Sequence, residues 1–177
     1  MDFIRTNTFV YLLEFLTLTM AYFGFLRLSS LFMTSTITDF GFSFRWYDIS
    51  IVNAAAGCVV LVYLLFIHKW LMSVLTENQA LHISTFLGFI CIVPLPLLYP
   101  FAREYGSKSK ILWEFLIILI PLYHVFITIG VLSIRRKLTN SMDEHSQKYM
   151  TVIMFALLCI GMAIGVVCSS SMYQLLK

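Results

Sequence analysis

The sequence predicts an all-α fold: a polytopic transmembrane helical bundle of about five spans with no soluble domain. Three observations predict it. Of the 177 residues 60% are hydrophobic and 12% charged, with a mean hydropathy of +0.89. Ordinary globular domains carry about a quarter charged residues, so this chain has too few polar groups to cover itself in water. Five stretches supply the roughly 20 apolar residues that a spanning helix needs: residues 9–28, 49–67, 81–99, 111–134 and 150–168. Trp46, Tyr47, Trp70, Tyr99, Trp113 and Tyr149 stand near their ends, where amphipathic rings favour the headgroup layer. The connections are short, so residues 1–177 read as a single integral membrane domain.

The first span, FVYLLEFLTLTMAYFGFLRL, is preceded by MDFIRTNT and followed by an apolar extension to Met33. No small-residue cleavage site closes it, which predicts a retained span and not a signal peptide. Arg27 can snorkel its stem toward the headgroups. Glu14 is the exception within the run, because a charge near the bilayer centre costs about 2.5–3.5 kcal/mol. It must find a partner, face the bundle or take up a proton. His124, in IPLYHVF of the fourth span, is the expected partner. From the span midpoints Glu14 lies about 7 Å and His124 about 2 Å toward the same face, leaving an axial gap of about 5 Å. Such a pair could relay protons or bind a cation. The simpler reading is a helix-to-helix hydrogen bond, or a protonated Glu14 bonded to Thr17 or Tyr11.

The second span carries Ala54-x-x-x-Cys58, with Ala55, Ala56 and Gly57 between; small residues four apart let helix backbones approach. Asn53 beside them could bond across to another helix. The third ends in CIVPLPLLYP, where Pro94, Pro96 and Pro100 remove amide donors. They are expected either to end the span at the interface or to open a binding mouth. In the fourth span Pro121 could loosen the backbone beside His124. The fifth contains Gly161-x-x-x-Gly165, suited to packing within a monomer or between copies.

With the N-terminus inside, basic residues divide six against six: Arg5, Lys69, Arg135, Arg136, Lys137 and Lys148 against Arg27, Arg45, Arg103, Lys108, Lys110 and Lys177. The density of Arg135-Arg136-Lys137 at a span end favours the N-terminus inside. Two connections also align at an offset of 67, IHKWLMSVLTE over IRRKLTNSMDE. Each has base first, acid last and apolar residues four apart, as an amphipathic helical extension would. They are expected as two levers on one side, or simply as ordinary basic loops.

These features exclude several functions. Cys58, Cys91, Cys159 and Cys168 lie in apolar stretches without a C-x-x-C, so neither a metal site nor a disulfide framework is expected. H-E-x-x-H and G-x-S-x-G are missing, and His124 is the deep histidine, which leaves little for hydrolysis or haem. The expectation is a non-enzymatic protein without cofactors. No basic stripe with interleaved aromatics suggests nucleic acid. The expected partners are the lipid bilayer and a membrane protein partner or homo-oligomer. The first reading of function is a sensing, receptor-like or partner-coupling module. It has an outer mouth formed by residues 29–48 and 100–110, with Arg135, Arg136 and Lys137 as its partner-coupling loop. The alternatives are a small proton- or ion-coupled transporter using Glu14, and a structural subunit of a larger membrane complex.

Overall fold

The computed structural model describes residues 2–39, 41–106, 109–141 and 144–176. Lys108, Met142 and Lys177, which entered the charge and repeat comparisons, lie outside them, as do the side chains of Arg5, Glu144 and Lys148. The described secondary structure is helical throughout. Helix α1 covers Asp2–Thr34, and a short 3-10 turn at Ile37–Asp39 follows. Helix α2, Trp46–Val62, passes through a π-helical turn at Tyr63–Ile67 into α3, His68–Val74. Then come α4 (Glu77–Ile92), α5 (Pro94–Leu97), α6 (Tyr99–Tyr105), α7 (Lys110–Ser141) and α8 (Glu144–Leu176).

Together these make five helices long and apolar enough to cross a membrane: Thr8–Thr34, Trp46–Val74, Glu77–Tyr105, Lys110–Ser141 and Tyr149–Leu175. The protein is thus a multi-pass membrane protein by the length and composition of its helices. Each span outruns its apolar stretch, because hydropathy marks the hydrocarbon core while helical hydrogen bonding continues through the interface.

Helix α7 is the axis of the bundle and packs on α1, α2 and α4, whereas α8 lies almost wholly against α1. The central span is accordingly more than twice as buried as the last, 44% against 17%. Phe25, Leu116, Ile120, Tyr123 and Ile127 fill the middle of one continuous apolar cluster. Small residues set the two closest seams. A Cβ on Gly161 would overlap the Thr19 side chain, and one on Gly165 would overlap Met20 O and come within 2.9 Å of Gly24 N. The Gly161-x-x-x-Gly165 face is therefore applied to α1 of the same chain. Between α4 and α7, Gly130 faces the Ser84 hydroxyl, and Gly88 faces the Tyr123 ring.

The second span corrects the expected packing face. Ala54 and Cys58 are exposed, a Cβ on Gly57 would meet open space, and Asn53 is exposed too. Helix α2 instead buries Ile49, Val52 and Ala56. Where small residues run consecutively, four-residue spacing is satisfied in several registers at once. Large neighbours such as Val52 then decide which register gains most from burial.

The prolines do not end the third span at residue 99, since its helical rod runs on to Tyr105. The chain breaks at Val93 and Leu98, tightens through Leu98 N–H to Leu95 O (3.2 Å), and resumes as α6. It stops at Gly106, whose φ of +72° suits a residue without a Cβ. The expected outer mouth is closed by residues 35–39 and 41–45, which fold back on the last turn of α1. Phe42 N–H reaches Phe32 O (2.8 Å) and Phe44 N–H reaches Met33 O (2.7 Å). These bonds drive the Phe42 and Phe44 rings into the core, the latter stacked on Trp113 at 5.0 Å. Tyr99 Oη donates to Ile37 O (3.1 Å), and Tyr173 Oη bonds Ser35 Oγ, pinning this cap from two other spans.

Candidate functional site

The polar chemistry collects at the opposite end of the bundle, where α3 stands beside the last turns of α7. Arg135, Arg136 and Lys137 are not a loop, because α7 continues to Ser141. Successive residues on a helix point about 100° apart, and the triplet divides accordingly. Lys137 turns inward and is 8% exposed, with Nζ 3.9 Å from Glu14 Oε2 and 5.2 Å from the centroid of the Tyr11 ring. Arg136 Nε lies 3.7 Å from Glu77 Oε1, which also accepts a 3.0 Å hydrogen bond from Asn140 Nδ2. Arg135 is exposed and makes no ion pair among the described residues.

Glu14 therefore pairs with Lys137 and not with His124. His124 Nδ1 lies 2.8 Å from Ile120 O of its own helix. Because a carbonyl only accepts, Nδ1 carries the proton there. The His124 ring meets Tyr22 edge-on at 5.6 Å between centroids. Tyr22 is eight residues beyond Glu14, about 12 Å along the helix. The expected depth match fails because the first span runs from Thr8 to Thr34, which moves its midpoint to residue 21, farther from Glu14. At the same time α7 runs past residue 134 and brings Lys137 to Glu14's level. Pro121 does not open the backbone: α7 is continuous across it. Glu14 Oε2 is buried and has no hydrogen-bond partner. The long contact to Lys137 is electrostatic, not a formed hydrogen bond.

No family model, curated protein or solved structure matches this chain. Its function has to be read from its own geometry.

That geometry includes a cleft of about 750 Å³ between α3 and α7. Lys69 and Ser73 line one side of it, Arg135, Arg136 and Thr139 the other, and Met72 and Leu132 provide apolar wall. The π-helical turn just before α3 widens the backbone by one residue, which changes the direction of every side chain after it. Buried Tyr63, inside that turn, holds His68 through a 2.9 Å contact between Oη and Nδ1. The Ser73 and Thr139 hydroxyls donate to Trp70 O and Arg135 O, so the cations are the cleft's free donors. A second recess, lined by Tyr11, Glu77, Arg136 and Lys137, adjoins it.

The described helical parts of the two aligned connections, α3 and the end of α7, thus lie on one side of the bundle with the cleft between them. Their acids differ in what can be described: Glu77 closes on Arg136, while the Glu144 side chain lies outside the described residues. Sequence reasoning missed Lys137 as Glu14's partner and Glu77 as Arg136's. It also missed Ser84-x-x-x-Gly88, a small-residue spacing visible in the third span. Among the described residues no cluster of histidine, cysteine and acids is placed to hold a metal ion.

Proposed function

We propose that this membrane protein is a non-enzymatic sensing and coupling module whose basic end receives an anionic partner. One observation carries the reading. Arg136 and Lys137 are neutralised within the chain by Glu77 and Glu14, whereas neighbouring Arg135 and Lys69 are exposed without ion pairs among the described residues. Charges left uncompensated beside compensated ones are available to a partner. Helix α7 carries Arg135 at one end and packs on three other spans, so a partner bound there acts on the element that organises the bundle. Co-purification in mild detergent tests this. The partner retained by the natural protein should be lost from Lys69→Gln/Arg135→Gln and kept by Arg103→Gln at the capped end. Equal retention by all three ends this reading.

The buried, unbonded Oε2 of Glu14 favours a second reading, proton- or ion-coupled transport. Its test is separate. Flux in proteoliposomes should collapse on Glu14→Gln, and a protein that carries no flux, or the same flux after the substitution, rules transport out. The packed middle of the bundle, around Leu116, Ile120 and Tyr123, supports coupling over transport.

A further inference from the structure

We infer that the cleft between α3 and α7 is a binding site for the phosphate monoester of a membrane-lipid headgroup. This rests on the reading that the basic end receives an anion, and it names the anion. Charge indicates the chemical class. Among the described residues, Lys69 and Arg135 are two cations without ion pairs, Arg136 is a third whose charge Glu77 already answers, and no acid lines the cleft. Two uncompensated positive charges match a phosphate monoester, which carries about −1.5 to −2 near neutral pH. An arginine fork suits its tetrahedral oxygens and a lysine adds a point charge. His68 also lines the cleft, with its Nδ1 2.9 Å from Tyr63 Oη. Both neighbouring hydroxyls have their protons committed to backbone carbonyls, so they contribute as acceptors at most. Ionic recognition, not neutral hydrogen bonding, therefore governs the site.

Position points to the lipid source. The cleft opens where the second span leaves the hydrocarbon, on the same rod as exposed Leu65, Phe66 and Trp70. Trp70 is an interfacial anchor by type, so Lys69 beside it sits at headgroup depth. Met72 and Leu132 make part of the cleft apolar, as suits a ligand that continues into acyl chains. Basic pockets between spanning helices are a general solution for phosphorylated headgroups.

The purified full chain in detergent can be titrated with dioctanoyl phosphatidylinositol bisphosphate while its melting temperature is followed. Dioctanoyl phosphatidylcholine, inositol trisphosphate and a phosphoserine peptide serve as parallel probes. The phosphoinositide lipid should raise the melting temperature, and phosphatidylcholine should not. In Lys69→Gln/Arg135→Gln the half-saturating concentration should rise about thirtyfold, as expected from removing two interfacial cations. Arg103→Gln should respond like the natural protein, and the charge-conserving Lys69→Arg/Arg135→Lys should lose far less than the neutral double variant.

Inositol trisphosphate acting as strongly as the lipid would assign the site to a soluble phosphate and overturn the lipid source. A stronger response to the phosphopeptide would overturn it in favour of a protein. No response to any phosphate-bearing probe overturns the site altogether. The co-purification test would still decide the coupling reading by itself. These arms use the natural protein, so their outcome does not depend on whether the double variant folds.

Discussion

Lys137 Nζ lies 3.9 Å from Glu14 Oε2, linking the central helix of the bundle to the first span near one membrane face. The lysine is buried and the glutamate half-buried. An isolated charge in such surroundings is costly, while a matched pair or two neutral groups is tolerable. Their stability effects should therefore be strongly coupled. Lys137→Met should cost about 2–4 kcal/mol, and adding Glu14→Gln should restore more than half of that loss. The check is a double-mutant cycle on detergent melts. Simple additivity of the two substitutions would mean that the pair does not interact.

The α1–α8 seam has no room for a methyl group at Gly165, because a Cβ there would overlap Met20 O. Gly165→Ala should destabilise by about 1–3 kcal/mol, the range for overpacking. Gly57→Ala is the contrast, because its Cβ meets nothing within 4 Å. It should be neutral or gain up to about 1 kcal/mol from helix propensity. Equal loss at both positions in thermal melts would contradict this packing.

The cap over the opposite end depends on Phe42, which is 1% exposed. Phe42→Ala should cost about 3–5 kcal/mol as a buried aromatic truncation. Hydrogen exchange should show residues 41–45 losing protection before the spans do. Unchanged protection there would show that the aromatic side chain does not hold the cap.

His124 bonds a carbonyl of its own helix and meets aromatic rings. Replacing it with leucine should remove one hydrogen bond, about 1 kcal/mol. Any proton flux carried by the natural protein should be unaffected. A large loss of flux in His124→Leu, measured with a pH-sensitive dye in proteoliposomes, would revive a relay through this ring.

At the charged end, one dimension was enough for the need and too little for the partner. Glu14 stands out in FVYLLEFLTLTM because a charge among apolar residues of a span is penalised by hydrocarbon, so its need for a partner is readable from the sequence. Which partner it finds depends on where two antiparallel helices end and how deeply each is set. The extension of α1 to Thr34 and the continuation of α7 through Lys137 changed that answer from His124. The triplet Arg135-Arg136-Lys137 reads as one patch in a line of text. On a helix its members face three ways, toward the cleft, toward Glu77 and toward Glu14.

By itself the sequence determined five helices long and apolar enough to cross a membrane, because burial of apolar side chains and satisfaction of backbone hydrogen bonds in lipid are local demands that a run of residues meets alone. It also supplied the spacing of Gly161 and Gly165, which suits close approach whatever the neighbour. Tertiary structure alone decided that α1 is that neighbour, that Val52 and Ala56 take the place of Ala54 and Cys58 at the seam, and that Lys69 and Arg135 share a cleft. Those outcomes depend on helix rotation, depth and a one-residue widening at Tyr63–Ile67. Each is set by the summed packing of side chains far apart in the chain, and no short stretch encodes it.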